Sequence, residues 1–197
     1  MILTIREYPD PILRHPARPV ETMDETLQSF MADMLETMYA ARGIGLAAPQ
    51  VGQGLRVICV DVSEERNQGQ VLINPRILRK EGNLEGEEGC LSVPGLYETV
   101  RRAAWIEVEA LNGRGEPFTA EAEGLLAVCI QHEMDHLEGV LFIDRLPELR
   151  RQRLKKQLGA ARSTHASEEN SKVSSRVRGK RAPIMQQSLL VTQGQGR

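Results

Sequence analysis

Residues 131–136, QHEMDH, place two histidines four positions apart with a glutamate directly after the first. On a helix, residues at that spacing share one face, so the imidazoles of His132 and His136 can reach a single metal ion. Glu133 projects beside them, where a carboxylate can take a proton from a water activated by the ion. In a chain of this composition a chance His-Glu-x-x-His occurs on the order of one time in a hundred. Two unrelated surface histidines therefore remain an alternative for this stretch taken alone.

A tetrahedral catalytic site takes a third protein ligand and keeps one position open. The other histidines, His15 and His165, fall in a proline-flanked N-terminal stretch and in a polar C-terminal segment, and neither is well placed. Cys90, in EEGCLSVPG (87–95), follows a glycine in a turn-like setting that can bring a thiolate close to an ion. By itself such a cysteine reads as a small buried hydrophobe. A third stretch, RGIGLAAPQVGQG (42–54), combines small residues with an amide side chain. Gly43 and Gly45 permit close backbone approach to a ligand, and Gln50 supplies an NH2 donor. Gly43 serves equally well as a helix stop.

The surrounding pattern supplies elements to carry these residues. Leu27, Phe30, Met31, Met34, Leu35 and Met38 follow helical spacing, predicting an amphipathic helix over 22–41 with a methionine-rich core stripe. Thr22 and Glu25 have the form of a capping box. LRVICVDV (55–62) reads as a buried strand; VLINP (71–75), TVRRAAWIEVEAL (99–111) and PFTAEA (117–122) also have strand composition. A second helix is expected from Glu123 to Gly139, and a basic third, PELRRQRLKKQLG, from Pro147. One helix, several antiparallel strands and two further helices make an α+β fold. Residues 1–159 are expected to form the catalytic domain. Residues 160–197, without aromatics and rich in Ser, Gln and Gly, are expected to be a disordered tail.

The net charge of -2 conceals an asymmetry. Residues 1–144 hold 12 Lys+Arg against 24 Asp+Glu, whereas 145–197 hold 13 against 3. An acidic body with a basic C-terminal segment suggests contact with a polyanion, RNA being the obvious candidate, or simply a solubilising tail. No apolar run approaches the roughly 18 residues of a membrane span. With no signal-peptide pattern at the N-terminus and three cysteines that suggest no disulfide framework, a cytoplasmic location is expected.

In order along the chain, GIGLAAPQ (43–50), EGCLS (88–92) and QHEMDH (131–136) resemble the three signature motifs of the peptide deformylases. The likeness covers about residues 1–150, including TVRRA (99–103) and HLEGVLFIDRL (136–146), and leaves out the polar tail. It implies antiparallel sheets packed around a central helix that carries the two histidines. The implied activity is removal of the formyl group from the N-terminal formylmethionine of new polypeptides, with release of formate. The implied ligands are Cys90, His132 and His136, with Glu133 as general acid/base. The Gln50 side chain and the Leu91 backbone N–H would stabilise the oxyanion, and Gly45 would meet the formyl group or substrate backbone. Two His and one Cys read by themselves as a Zn2+ site. The resemblance instead implies one Fe2+ per chain, with Zn2+, Ni2+ or Co2+ as substitutes.

Leu125, Val128 and Cys129 continue the face of His132 and His136 and are expected, with Ile44, to line an apolar pocket for the substrate methionine; the alternative is that they are only core, an equal reading for Leu125. Glu88 is expected to pair with Arg102 and steady the Cys90 loop. The expected partners are N-formylmethionyl nascent chains and, through the basic segment, the ribosome; a monomer that does not engage membranes is expected. A zinc endopeptidase would place its third ligand after the helix, and a purely structural metal site would leave Glu133 and Gln50 without a role.

Overall fold

The structure, a computed structural model, describes residues 1–154 and 156. Five strands form an antiparallel sheet in the order β1 (Gly45–Ala47), β2 (Val57–Val60), β3 (Gln70–Glu81), β6 (Trp105–Leu111), β7 (Pro117–Glu123). β4 (Leu84–Cys90) and β5 (Val93–Arg102) pair with each other as a separate hairpin. The helices are α1 (Glu25–Ala40) and α2 (Gly124–Leu137), and short 3-10 turns lie at Pro11–Arg14, Ala48–Val51 and Phe142–Arg145. The architecture is the expected α+β one.

The unbroken apolar run at β2 follows from burial on both faces. Ile58 and Val60 pack with Leu72, Ile106, Ala127, Ile130 and Leu137, on the side of α2. Val57 and Cys59 pack with Leu27, Met31, Met34 and Met38, on the side of α1. Alternate residues of a strand point to opposite faces, so each set serves one helix. The methionine stripe is core, with Met34 and Met38 fully buried; each such side chain contributes roughly 1.5–3 kcal/mol. α2 is enclosed along most of its length, Ala127 and Cys129 through Glu133 and Asp135 through Leu137 being buried.

Three details depart from the sequence-based expectations. The N-cap of α1 is Asp24, whose carboxylate accepts the Leu27 N–H at 2.8 Å, in place of Thr22. GLA at 45–47, to which the sequence pattern assigned no element, is a strand. The expected strand over 99–111 is divided between β5 and β6, which belong to different sheets. The division falls at Ala103, whose N–H donates to Gln131 Oε1 (3.1 Å) and whose carbonyl accepts from Gln131 Nε2 (3.0 Å). A helix side chain thus satisfies backbone groups that a neighbouring strand would otherwise pair.

Met1–Arg151 form one compact unit, and the helical stretch at 148–154 begins within it. The boundary expected at 159 and the segment 160–197 lie outside the described residues.

Candidate active site

α2 delivers His132 and Glu133 to the floor of a cleft of about 430 Å³, with His136 buried next to them, and the β4–β5 hairpin brings Cys90 in from the other side. Where the hairpin turns, Cys90 opposes Val93 and the register shifts after Gly89. One donor atom each from Cys90, His132 and His136 lies within 4.8 Å of the other two, and Cys90 Sγ is 3.3 Å from His136 Nε2. His132 Nδ1 bonds Glu88 Oε2 at 2.8 Å. With that proton placed, Nε2 is the nitrogen left to present a lone pair. One thiolate and two imidazoles at this separation fit a divalent ion of borderline softness.

Behind the donors stands a buried ionic chain. Arg102 donates from Nε to Glu88 Oε1 (2.7 Å), from Nη2 to Glu88 Oε2 (2.9 Å) and from Nη1 to Asp135 Oδ2 (2.6 Å). Burial works against the Glu88 carboxylate, but Arg102 and His132 outweigh it and hold its pKa at about 2. Removing one member of such a buried set strands its partner's charge, so the group fixes geometry strongly. The ring of Phe142 stacks on His132 with centroids 6.0 Å apart.

Glu133 is 4% exposed, and its Oε2 has no hydrogen-bond partner among the described residues. Burial pushes its carboxyl up to about 7, the range suited to a group that must both accept and return a proton near neutrality. Burial also holds His136 well below the usual imidazole range, keeping it neutral, as a metal ligand must be. His132 is raised, because its bonds to Cys90 and Glu88 outweigh desolvation; binding of an ion there displaces a proton.

Gln50 sits in the 3-10 turn after β1. Its Oε1 accepts the Ala47 N–H at 2.7 Å, which turns Nε2 toward Ser92 Oγ (3.2 Å) and Cys90 Sγ (3.6 Å). Ile44, Leu125, Val128, Cys129 and Leu91 all line the cleft. Cys129 is buried with its thiol donating to the Ile44 carbonyl at 3.3 Å, whereas Leu125 is 55% exposed at the mouth. Gly45 lies close against the Glu133 carboxylate: a Cβ there would stand 2.3 Å from Glu133 Oε1. His15 is spent on the Pro11 carbonyl at 2.7 Å, and His165 lies outside the described residues.

Ser92, Asp135 and the cleft wall from Pro94 to Tyr97 also belong to the site, beyond the residues singled out by sequence. Asp135 had a visible signal, a second acid inside the two-histidine motif. The wall had none.

A buried carboxyl beside a three-donor Cys/His/His cluster, opening on a cleft, is the arrangement of a metal-dependent hydrolase. Comparison with known proteins narrows the class. The family model described as polypeptide deformylase matches residues 2–152. The peptide deformylase of Neisseria meningitidis is 54% identical over 157 residues, spanning 80% of this chain and 94% of that protein. That of Alkalilimnicola ehrlichii is 55% identical over 158 residues, 80% and 89% of the two chains. Among solved structures, a peptide deformylase from Legionella pneumophila superposes with a TM-score of 0.79 at 48% identity, covering 84% of this chain and 98% of that one. One from Synechococcus elongatus in complex with actinonin gives 0.74 at 44% identity, covering 80% and 86%. The chain belongs to the peptide deformylase family, metal-dependent enzymes that remove N-formyl groups from nascent polypeptides. No helix among the described residues is long and apolar enough to cross a membrane.

Proposed function

We propose that Cys90, His132 and His136 hold one Fe2+ at the floor of the cleft and that deformylation proceeds on Glu133. The observation that carries this reading is the convergence of the three donor atoms within 4.8 Å beside a buried, partnerless carboxylate oxygen. When bound, the ion supplies Lewis acidity, bringing the pKa of a water toward about 7 and polarising a carbonyl. Glu133 accepts the proton of the attacking water as its oxygen bonds to the formyl carbon. It then delivers that proton to the amine nitrogen as the C–N bond breaks and formate leaves. Gln50 Nε2, aimed into the site by the bond on its Oε1, donates to the developing oxyanion together with the Leu91 backbone N–H. A fixed donor of this kind is worth roughly 3 kcal/mol. Ile44, Val128, Cys129 and Leu125 form an apolar channel from the floor to the mouth, suited to an unbranched, flexible methionine side chain.

Iron in place of zinc rests on the likeness of all three motifs to the family, and Zn2+, Ni2+ or Co2+ would use the same donors. The test is formate release from a short formyl-Met peptide by iron-loaded protein; absence of release with the metal retained would refute the reading.

The protein acts in the cytoplasm as a monomer, and its C-terminal segment docks on ribosomal RNA. Of 25 basic residues, 13 lie beyond Asp144, past every proposed catalytic group. Phosphate neutralisation of this kind weakens steeply with salt. Truncation after Pro147 should reduce ribosome co-sedimentation while sparing turnover of short peptides; unchanged, salt-insensitive association would refute docking.

A further inference from the structure

The ionic chain behind His132 does not stop at Asp135. Arg145 donates from Nε to Asp135 Oδ2 at 2.9 Å and from Nη2 to Asp135 Oδ1. Asp135 is therefore gripped on one side by Arg102 and on the other by Arg145. Two carboxylates and two guanidiniums alternate along the chain, and Glu88, its last member, bonds His132 Nδ1. Glu88, Arg102 and Asp135 are buried, whereas the Arg145 side chain is 47% exposed. The 3-10 turn that ends in Arg145 begins with Phe142, whose ring stacks on His132. The same short turn thus reaches His132 twice, directly through a ring face and indirectly through charge.

We propose that Arg145 is a positioning residue for His132, acting through Asp135, Arg102 and Glu88; this rests on the reading of His132 as a metal ligand. The physical basis is charge balance with fixed forks. Glu88 is oriented by two nitrogens of Arg102, and the third nitrogen of Arg102 is anchored by Asp135. Without Arg145, Asp135 keeps a single cationic partner, and the buried set carries a net negative charge. Arg102 is then drawn toward Asp135, loosening its grip on Glu88 and so on the His132 ring. Partners of ligating histidines typically govern metal affinity by 10–100-fold. Arg145 acts from the half-exposed end of the chain, so the lower end of that range is expected.

The test uses full-length Co2+-loaded protein and follows metal loss to a competing chelator, the visible spectrum of the bound Co2+, and thermal unfolding of the metal-free protein. Arg145→Gln should release Co2+ about tenfold faster than the parent. Its ligand-field bands should shift, while the metal-free unfolding midpoint stays near the parent's. Arg145→Lys, which keeps the charge without the fork, should fall between. Because the effect runs through Asp135, adding Arg145→Gln to Asp135→Asn should accelerate release little further. Parental release by Arg145→Gln, or full additivity in the double variant, overturns the proposal. His132→Ala separates the two levels. If it retains Co2+ like the parent, both the ligand assignment and this inference fall. If it loses Co2+ rapidly while Arg145→Gln does not, only the inference falls.

Discussion

Replacing Gly45 by alanine should disable the enzyme without touching a ligand. The added Cβ would lie 2.3 Å from Glu133 Oε1 and 2.8 Å from both Cδ and Cγ. A carbon–oxygen contact relaxes near 3.3 Å, so the carboxylate or the β1 backbone must give by about 1 Å. β1 is buried and pairs residue by residue with β2, Gly45 opposite Val60, so the Glu133 carboxylate, which lines the cleft, is the group displaced. The backbone at Gly45 lies outside the left-handed region, so the constraint is steric approach and not a conformation that only glycine adopts. Misplacing a catalytic group by 1 Å costs on the order of 100-fold in rate, or about 2.7 kcal/mol of transition-state stabilisation. Steady-state formate release should show that loss in kcat with bound metal unchanged. Glu133→Asp, which withdraws the carboxylate by one methylene, should combine with Gly45→Ala less than multiplicatively. Parental kcat in Gly45→Ala, or strict multiplication in the pair, would refute the steric argument.

Glu133→Ala should retain metal yet lose about 10²–10⁴-fold in formate release, because the donors remain while the proton carrier is gone; metal analysis beside kinetics checks both halves. Cys90→Ser should give up its ion to a mild chelator, a hydroxyl being a poor substitute for a thiolate at neutral pH, and undiminished metal content would remove Cys90 from the ligand set. Asp61 offers a pH test of stability. Burial pushes its carboxyl up, but bonds from Ser63 Oγ (2.6 Å), Tyr39 Oη (2.7 Å) and the N–H groups of Ser63 and Gln68 (both 2.9 Å) outweigh this and hold it at about 2, against 3.8 ordinarily. A depressed folded-state pKa stabilises above the ordinary value and ceases to do so as pH falls through the depressed one. The contribution is about 2 kcal/mol. Asp61→Asn should therefore be less stable than the parent at neutral pH, with the gap in denaturant midpoint closing between pH 4 and pH 2. A gap independent of pH would sink this reading.

What could be read from sequence was what local spacing encodes. The two-histidine motif revealed its helix and its shared face, since four residues make one turn, and the apolar run at 55–62 announced a strand buried on both sides. Cys90 was different. Nothing local marks it as a ligand, and only its order among three motifs resembling a known family singled it out. The break at Ala103 was invisible because its cause, the Gln131 amide, lies 28 residues away. The Gly45–Glu133 approach was hidden for the same reason: β1 and α2 are distant in sequence and meet only after the sheet forms. Thr22 and Asp24, two residues apart, both qualify as helix caps, and it is the Asp24 carboxylate that accepts the Leu27 N–H.

The hairpin that carries Cys90 forms no strand pairing with the five-stranded sheet on which α2 packs. Cys90 and the two histidines therefore straddle a seam between two separately hydrogen-bonded pieces, bridged by the Arg102–Asp135 ion pair and the Glu88–His132 bond. Opening that seam would part the thiol from the imidazoles while the double-sided core around β2 stayed intact. An ion held between them would then leave through a local, sub-global opening of the hairpin, without unfolding of the whole chain. An ion that bridges the seam in turn slows the opening, so the cofactor acts as a fastener for the part of the fold that holds it.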